Sequence, residues 1–105
     1  MLLEVREVSR KTPRDGRLEI TGETARRLAP LGASLPVEVD LQRGEGALEV
    51  MACQCEKGGG SAGHTHHFVR SPLFASLTVG ETVVLELLEG PVLAVARPHP
   101  LRPES

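Results

Sequence analysis

Both cysteines of the chain and three of its four histidines lie between residues 53 and 67. Cys53 and Cys55 are two residues apart, as are His64 and His66, so each pair shares a face if its segment is a β-strand. If the two strands pair as a hairpin across the glycine-rich segment between them, Cys55 approaches His64 and Cys53 approaches His66. Two thiolates and two imidazoles form the ligand set of a tetrahedral zinc site. The sequence therefore predicts a hairpin closed by zinc.

His67 is an alternative ligand at this site. Strand alternation puts Cys53 on the face opposite the apolar Val50, whereas the first two histidines share a face with Phe68, which we expect to be buried. The two strands agree if a β-bulge near residues 51 and 52 displaces one of them, or if His67 replaces one of the other histidines. The competing interpretation is a flexible loop that holds no metal.

The cysteines favour metal binding over a disulfide, because strand residues two apart fit disulfide geometry poorly. Reduced thiols suit a cytoplasmic protein. The charged residues among the first ten positions do not fit a signal peptide, and no apolar run reaches membrane-spanning length. We therefore expect a soluble cytoplasmic protein with no membrane partner.

Length and composition set the size and content of the core. The chain has 105 residues, of which 40% are hydrophobic, and it contains two phenylalanines but no tryptophan or tyrosine. We expect one domain over residues 1–96 with an aliphatic core, followed by a proline-rich, disordered tail over residues 97–105. Few aromatic rings and a net charge of -2 argue against a base-stacking platform for single-stranded nucleic acid.

Alternating apolar and polar residues predict a mainly β protein. Thr21 is a plausible N-cap for a short helix that ends near Leu28, and Ser71 followed by Pro72 is a strong start for a second helix. Residues 9–16 contain Pro13 and the Asp15-Gly16 pair and are predicted to be loop and turn. The expected strands are residues 3–8, 18–20, 37–41, 47–55, 64–69, 83–87 and 92–96.

The two halves of the chain resemble each other. A shift of 46 positions superimposes apolar residues of one half on those of the other, including Leu28 on Phe74 and Val37 on Val83. Each half then reads strand, short helix, strand, turn, strand. The repeat predicts a small pseudo-twofold β-barrel with two short helices, a form that leaves few exposed sheet edges.

Two motifs carry a resemblance to known families. The strand Leu-Pro-x-Glu-Val at residues 35–39 and the run Leu-Thr-Val-Gly-Glu-Thr-Val at residues 77–83 resemble the DNA-binding pseudobarrel domains of plant transcription factors and restriction-enzyme effectors. The second motif is also similar to AbrB-type swapped-hairpin barrels, in which a short helix precedes Leu-x-x-Gly-Glu-x-Val. The resemblance spans roughly residues 17–96. It implies a barrel fold and DNA binding.

A local excess of positive charge supports a nucleic-acid partner. Residues 6–17 hold five basic residues against Glu7 and Asp15, and such a segment can contact phosphates. The alternative is an ordinary solvated loop. The candidate nucleic-acid-binding residues are Arg6, Arg10, Lys11, Arg14 and Arg17.

Three classes of function fit these features. The first is a nucleic-acid-binding or regulatory module with a structural zinc ion. The second is a cupin-like metalloenzyme, because residues 58–66 match the cupin opening Gly-x5-His-x-His; however, Arg70 and Ser71 stand where the cupin glutamate is expected, and no general base is evident. The third is a metal-binding interaction protein. We expect the first, with structural zinc and no catalysis.

Overall fold

A computed structural model describes residues 1–53 and 64–97. Seven strands form one sheet that curves into a nearly closed barrel, together with two short α-helices, so the predicted fold class is confirmed. Among the described residues, no helix combines the length and the apolar character needed to cross a bilayer. The strands are β1 (Leu2–Glu7), β2 (Arg17–Ile20), β3 (Ser34–Val39), β4 (Gln42–Cys53), β5 (His64–Arg70), β6 (Thr82–Leu88) and β7 (Val92–Ala96). The α-helices are α1 (Lys11–Asp15) and α2 (Gly22–Leu28), and 3-10 turns span Ala29–Leu31 and Pro72–Ser76.

The strands lie in the order β1-β6-β7-β3-β4-β5-β2. The pair β3–β7 is parallel, and the other neighbouring pairs are antiparallel. Strand β3 therefore lies at the middle of the sheet, and β1 and β2 are its two edges. The tail expected over residues 97–105 lies outside the described residues except for Arg97.

The interior is aliphatic, as the composition predicts. Phe74 is fully buried at the centre of the hydrophobic cluster, whereas Phe68 is buried but does not belong to it. Burying apolar surface of this kind contributes about 25 cal/mol per Å² to stability. The other residues of the cluster are Val8, Leu18, Ile20, Ala25, Leu28, Leu35, Val37, Val39, Val69, Leu77, Val83, Leu85, Leu93 and Val95.

Both predicted helix starts are confirmed. The Thr21 hydroxyl accepts a hydrogen bond from the backbone N–H of Thr24 at 3.2 Å, which caps α2. The Ser71 hydroxyl accepts from the backbone N–H of Leu73 at 3.2 Å. The segment after Ser71 is a 3-10 helix, a tighter form that is common in short pieces.

The expectation that residues 9–16 are entirely loop is wrong, because Lys11–Asp15 form the single turn of α1. Gly16 ends this turn with φ of 73°, a left-handed conformation that glycine adopts without steric cost. Thr12 is fully buried, and the Gly16 carbonyl accepts a hydrogen bond from the Ser71 N–H at 2.9 Å. The turn is thus held by contacts with a distant segment, which local sequence signals do not report.

The order of elements repeats, but the pairing of strands does not. The run β2-α2-β3-β4 in the first half corresponds to β5, the 3-10 turn Pro72–Ser76, β6 and β7 in the second. Equivalent residues such as Val37 and Val83 are both fully buried. However, β3 pairs with β7, whereas its counterpart β6 pairs with β1. Because β1 has no counterpart in the second half, the sheet is asymmetric.

Side chains join the two edge strands of the sheet. Glu4 on β1 accepts hydrogen bonds from the backbone N–H of Thr21 at 3.0 Å and from its hydroxyl at 2.8 Å. It also accepts from the hydroxyl of the buried Thr24 at 2.6 Å. Thr21 directly follows β2, so this carboxylate spans the gap between β1 and β2. The barrel is therefore closed at this point by side-chain hydrogen bonds rather than by a strand ladder.

Candidate metal centre

The predicted hairpin exists between β4 and β5, with a register different from the expected one. Cys53 pairs with His64, and Met51 pairs with His66. The sequence analysis expected Cys55 opposite His64, a displacement of two residues. The apolar row through Val69 fixes the observed register. In this row Val69 pairs with an apolar residue of β4 on one side and with an apolar residue of β2 on the other.

The register also resolves the mismatch between the two strands. It runs without a shift from the Ala47–Arg70 pair to the Cys53–His64 pair, so the β-bulge that was one of the two alternatives is not present between these pairs. Directly paired residues share a face, which puts the register positions of Cys53, His64, His66 and Phe68 on one face. The apolar residues Leu48 and Val69 lie on the other, core-facing side. The register positions of the cysteine and of the two histidines therefore lie on the same face without a bulge in either strand.

Phe68 misled the face assignment because it is buried outside the main core. The ammonium group of Lys11 lies 5.4 Å from the centroid of its ring, a cation–π contact. The His66 ring stacks on it with a centroid distance of 6.3 Å. Lys11 and His66 together cover the ring on the outer face of the sheet. Phe68 is therefore an apolar strand residue that lies on the face opposite the core.

His66 has a carboxylate partner. Its Nδ1 lies 2.8 Å from Oε2 of Glu19, which is on the neighbouring strand β2. The side chains are 36% and 32% exposed, respectively, so the pair lies at the surface. When the carboxylate accepts the Nδ1 proton of a neutral ring, the ring orientation is fixed and Nε2 carries the lone pair. Metal-ligating histidines commonly have such a partner.

His67 lies on the opposite face from His66, since adjacent strand residues alternate. It pairs with Val50 and with the buried Ile20. Its Nδ1 is buried without a hydrogen-bond partner among the described residues. His67 is thus on the face of the hairpin opposite the register positions of Cys53, His64 and His66.

The predicted ligand set is only partly within the described residues. Cys55 and the side chains of Cys53 and His64 lie outside the described part of the chain. Across residues 1–53 and 64–97, no three His, Cys, Asp or Glu side chains group as a metal site would. The assignment of Cys53, Cys55, His64 and His66, with His67 as the alternative, stays a prediction.

The basic residues between positions 6 and 17 are distributed over three elements. Arg6 on β1 pairs with Glu4 at 2.9 Å, and Arg17 on β2 pairs with Glu49 at 2.9 Å. Lys11 covers Phe68, as described above. Carboxylates therefore neutralise part of the positive charge that the sequence places in this segment.

Arg14 and Asp15 form an exposed pair at the end of α1. Arg14 donates two hydrogen bonds to the carboxylate, with N–O distances of 3.1 and 3.0 Å. These bonds lower the pKa of Asp15 below its ordinary value and raise the pKa of Arg14. Arg10, immediately before α1, is exposed and has no carboxylate within ion-pair distance in the described parts of the chain.

Sequence reasoning missed two carboxylates on the outer face of the sheet. Glu49 accepts a hydrogen bond from Arg17 at 2.9 Å and forms an ion pair with Arg70 at 3.0 Å, and Glu19 contacts His66. Both glutamates alternate with apolar strand residues, so the sequence could place them on a polar face. Their partners depended on which strands pair, which the sequence did not reveal.

Comparison of the chain with models of protein families found no match, and neither the curated proteins nor the solved structures include one. The resemblance to DNA-binding pseudobarrels and to swapped-hairpin barrels therefore stays a prediction. The seven-stranded sheet and the site geometry are the basis for assigning a function.

Proposed function

We propose that this protein is a small β-barrel module with a structural zinc ion at the end of the β4–β5 hairpin. The ligands are Cys53, Cys55, His64 and His66. The metal ties together the two strands where they leave the barrel. It has no catalytic role, since four protein ligands fill a tetrahedral site and leave no position open for substrate.

The observation that carries the proposal is the hydrogen bond between His66 and Glu19. At 2.8 Å, it orients the imidazole in the way that ligating histidines are oriented in metal sites. The backbone pairing of Cys53 with His64 supports it further, because it brings a thiol-bearing and an imidazole-bearing position together on the same face as His66. Soft thiolate with imidazole is a donor set that suits zinc.

The β4–β5 hairpin extends beyond the apolar row that stabilises it. This is the energetic argument for a metal ion at its end. Val50 is 61% exposed and Met51 is 38% exposed, so the outer part of the hairpin gains little from burial. Closing the glycine-rich segment from residue 54 to residue 63 costs conformational entropy. Binding of zinc is worth on the order of 10 kcal/mol in zinc-finger peptides, which is enough to order the end of this hairpin.

Elemental analysis of the purified protein tests the proposal. We expect about one zinc ion per chain, the stoichiometry of a single four-ligand site. The double variant Cys53→Ser, Cys55→Ser should lose the metal, because serine hydroxyls are poor zinc ligands. Removing zinc from the wild type with a chelator should lower its melting temperature, since the metal binds the folded state.

Two single-histidine variants form a matched pair, in which the first tests the site and the second is its control. His66→Gln should lose zinc affinity, whereas His99→Gln, outside the proposed site, should keep it. Glu19→Gln should weaken zinc binding by about 10- to 100-fold, the usual effect of removing the partner of a ligating histidine. A wild-type protein that contains no zinc, takes up none and melts unchanged with chelator would reject the proposal.

Nucleic-acid binding is the second candidate function. The observation in its favour is Arg10, an exposed cation next to α1 without a carboxylate partner in the described residues. A phosphate could take the place of that missing partner, with Arg14 beside it. The ion pairs of Arg6 and Arg17 restrict the contact surface to this end of α1.

A further inference from the structure

His67 faces the start of α2 rather than the proposed metal centre. A β-carbon built on Gly22, at the start of α2, would lie 3.7 Å from His67 Nε2 and 3.7 Å from Arg26 Nη1. The imidazole and the guanidinium therefore approach one point from two elements. Because residue 22 is glycine, it contributes no side-chain atom between these two groups.

The buried nitrogen of His67 determines which ring nitrogen carries the proton. Nδ1 is buried and has no hydrogen-bond partner in the described chain. A buried N–H without an acceptor is a rarer and costlier arrangement than an unpaired acceptor. In the tautomer that avoids this cost, Nε2 is the N–H donor. This directs an N–H donor toward the space over Gly22.

Arg26 adds a charged donor without a counter-charge. Its neighbour Arg27 pairs with Glu23 at 3.5 Å. Glu4 on β1 contacts the start of the same helix, but Thr21, Thr24 and Arg6 already occupy its carboxylate. Within residues 1–53 and 64–97, no carboxylate lies within ion-pair distance of Arg26. Two donors thus lie beside Gly22, and neither has a carboxylate partner in the described residues.

We propose that this position binds a small oxyanion, with phosphate as its chemical class. Two of its oxygens accept from Arg26 and from His67 Nε2, and the absence of a side chain on Gly22 provides the space. Arginine and phosphate form charge-assisted hydrogen bonds that are among the strongest in proteins. The site is separate from the proposed zinc site, because His67 and His66 lie on opposite faces of β5.

Titration of the full-length protein with inorganic phosphate tests the proposal. The readouts are the NMR shifts of the Gly22 amide and of the His67 ring, in chloride buffer at constant ionic strength. We expect saturable binding with a Kd of about 1–10 mM, which suits two direct hydrogen bonds at a surface site. Sulfate should compete with phosphate, whereas additional chloride should not.

Gly22→Ala is the sharpest variant. A methyl group there makes only ordinary van der Waals contacts, the nearest at 3.7 Å, and alanine favours helix more than glycine does. The variant should therefore fold at least as well as the wild type. It should nevertheless bind phosphate at least about tenfold more weakly, since the methyl group would project toward the anion and hold it away from the two donors.

Arg26→Gln should weaken phosphate binding by a similar factor, whereas the neighbouring Arg27→Gln is the matched control and should change it little. The Cys53→Ser, Cys55→Ser variant should bind phosphate normally, which separates this proposal from the zinc site. The absence of saturable binding, or equal affinities of the wild type, Gly22→Ala and Arg26→Gln, would overturn the proposal.

Discussion

Glu4 is the residue on which closure of the barrel depends most directly. Its side chain is 10% exposed, and it accepts from both hydroxyls and one backbone N–H at the start of α2. Arg6 balances its charge at 2.9 Å. Nearly buried carboxylates are stabilising when their hydrogen bonds are complete and costly when they are not. Glu4 is a charged residue in an edge strand of alternating apolar and polar residues, and it has a structural role.

We expect Glu4→Ala to lower the free energy of unfolding by about 2–3 kcal/mol, because it removes charge-assisted hydrogen bonds and leaves the buried Thr24 hydroxyl poorly satisfied. Denaturation by urea, monitored by circular dichroism, measures the change. Glu86→Ala, an exposed glutamate on the neighbouring strand β6, is the control and should change stability by less than about 0.5 kcal/mol. Equal losses in the two variants would contradict the role assigned to Glu4.

Among the elements, α1 shows how tertiary contacts override local signals. Its sequence contains Pro13 and ends in Asp15-Gly16, a pattern typical of turns. The segment nevertheless forms a helical turn, since burial of Thr12 and the hydrogen bond between Gly16 and Ser71 hold it. The turn fixes the positions of Arg14 and of Arg10, which directly precedes it. Any phosphate contact by this segment therefore depends on α1.

The nucleic-acid hypothesis can be tested at α1. If the protein binds duplex DNA or RNA, affinity should fall steeply with salt, and Arg10→Ala with Arg14→Ala should reduce the slope of log K against log salt by about 2. Fluorescence anisotropy at several salt concentrations measures this slope. The double variant Arg27→Ala, Arg43→Ala removes the same charge outside α1, from arginines that pair with Glu23 and Glu38, and should leave the slope unchanged. Failure of the wild type to bind at low salt would reject the hypothesis.

At the scale of the whole molecule, the sheet has a well-defined middle and two weak edges. Strand β3 is flanked by β4 and β7, and its apolar residues are buried. The edge strand β2 has four residues and pairs on one side only. Stability in such a fold is not uniform, because edges open locally while the middle opens with global unfolding.

Amide hydrogen exchange should reproduce this gradient. Amides of β3 that donate within the sheet should exchange at least about 100-fold more slowly than those of β1 and β2, since they require global rather than local opening. NMR-detected exchange provides residue-level rates. In Glu4→Ala, exchange should accelerate more at β1 than at β3 under conditions where the variant stays folded. Uniform protection across the sheet would show that the edges do not open separately.

The hairpin that carries the candidate site was accessible from the sequence. The two-residue spacing of the cysteines and histidines correctly indicated a hairpin, because side-chain alternation is a local property of strands. The register was displaced by two residues, and Glu19 was missed as the partner of His66. The contact between Glu19 and His66 depends on β2 lying beside β5, a pairing between segments far apart in the chain. No local pattern reports that pairing.

The sequence by itself determined the elements: the strands through alternation, α2 and the turn after Ser71 through their capping residues, and the aliphatic core through composition. Tertiary structure alone decided the strand order, the helical turn of α1, the outer burial of Phe68 and the separation of His67 from His66. The physical reason is the distance along the chain over which each kind of interaction acts. Alternation and capping act over a few residues, whereas register and burial arise from contacts between distant segments.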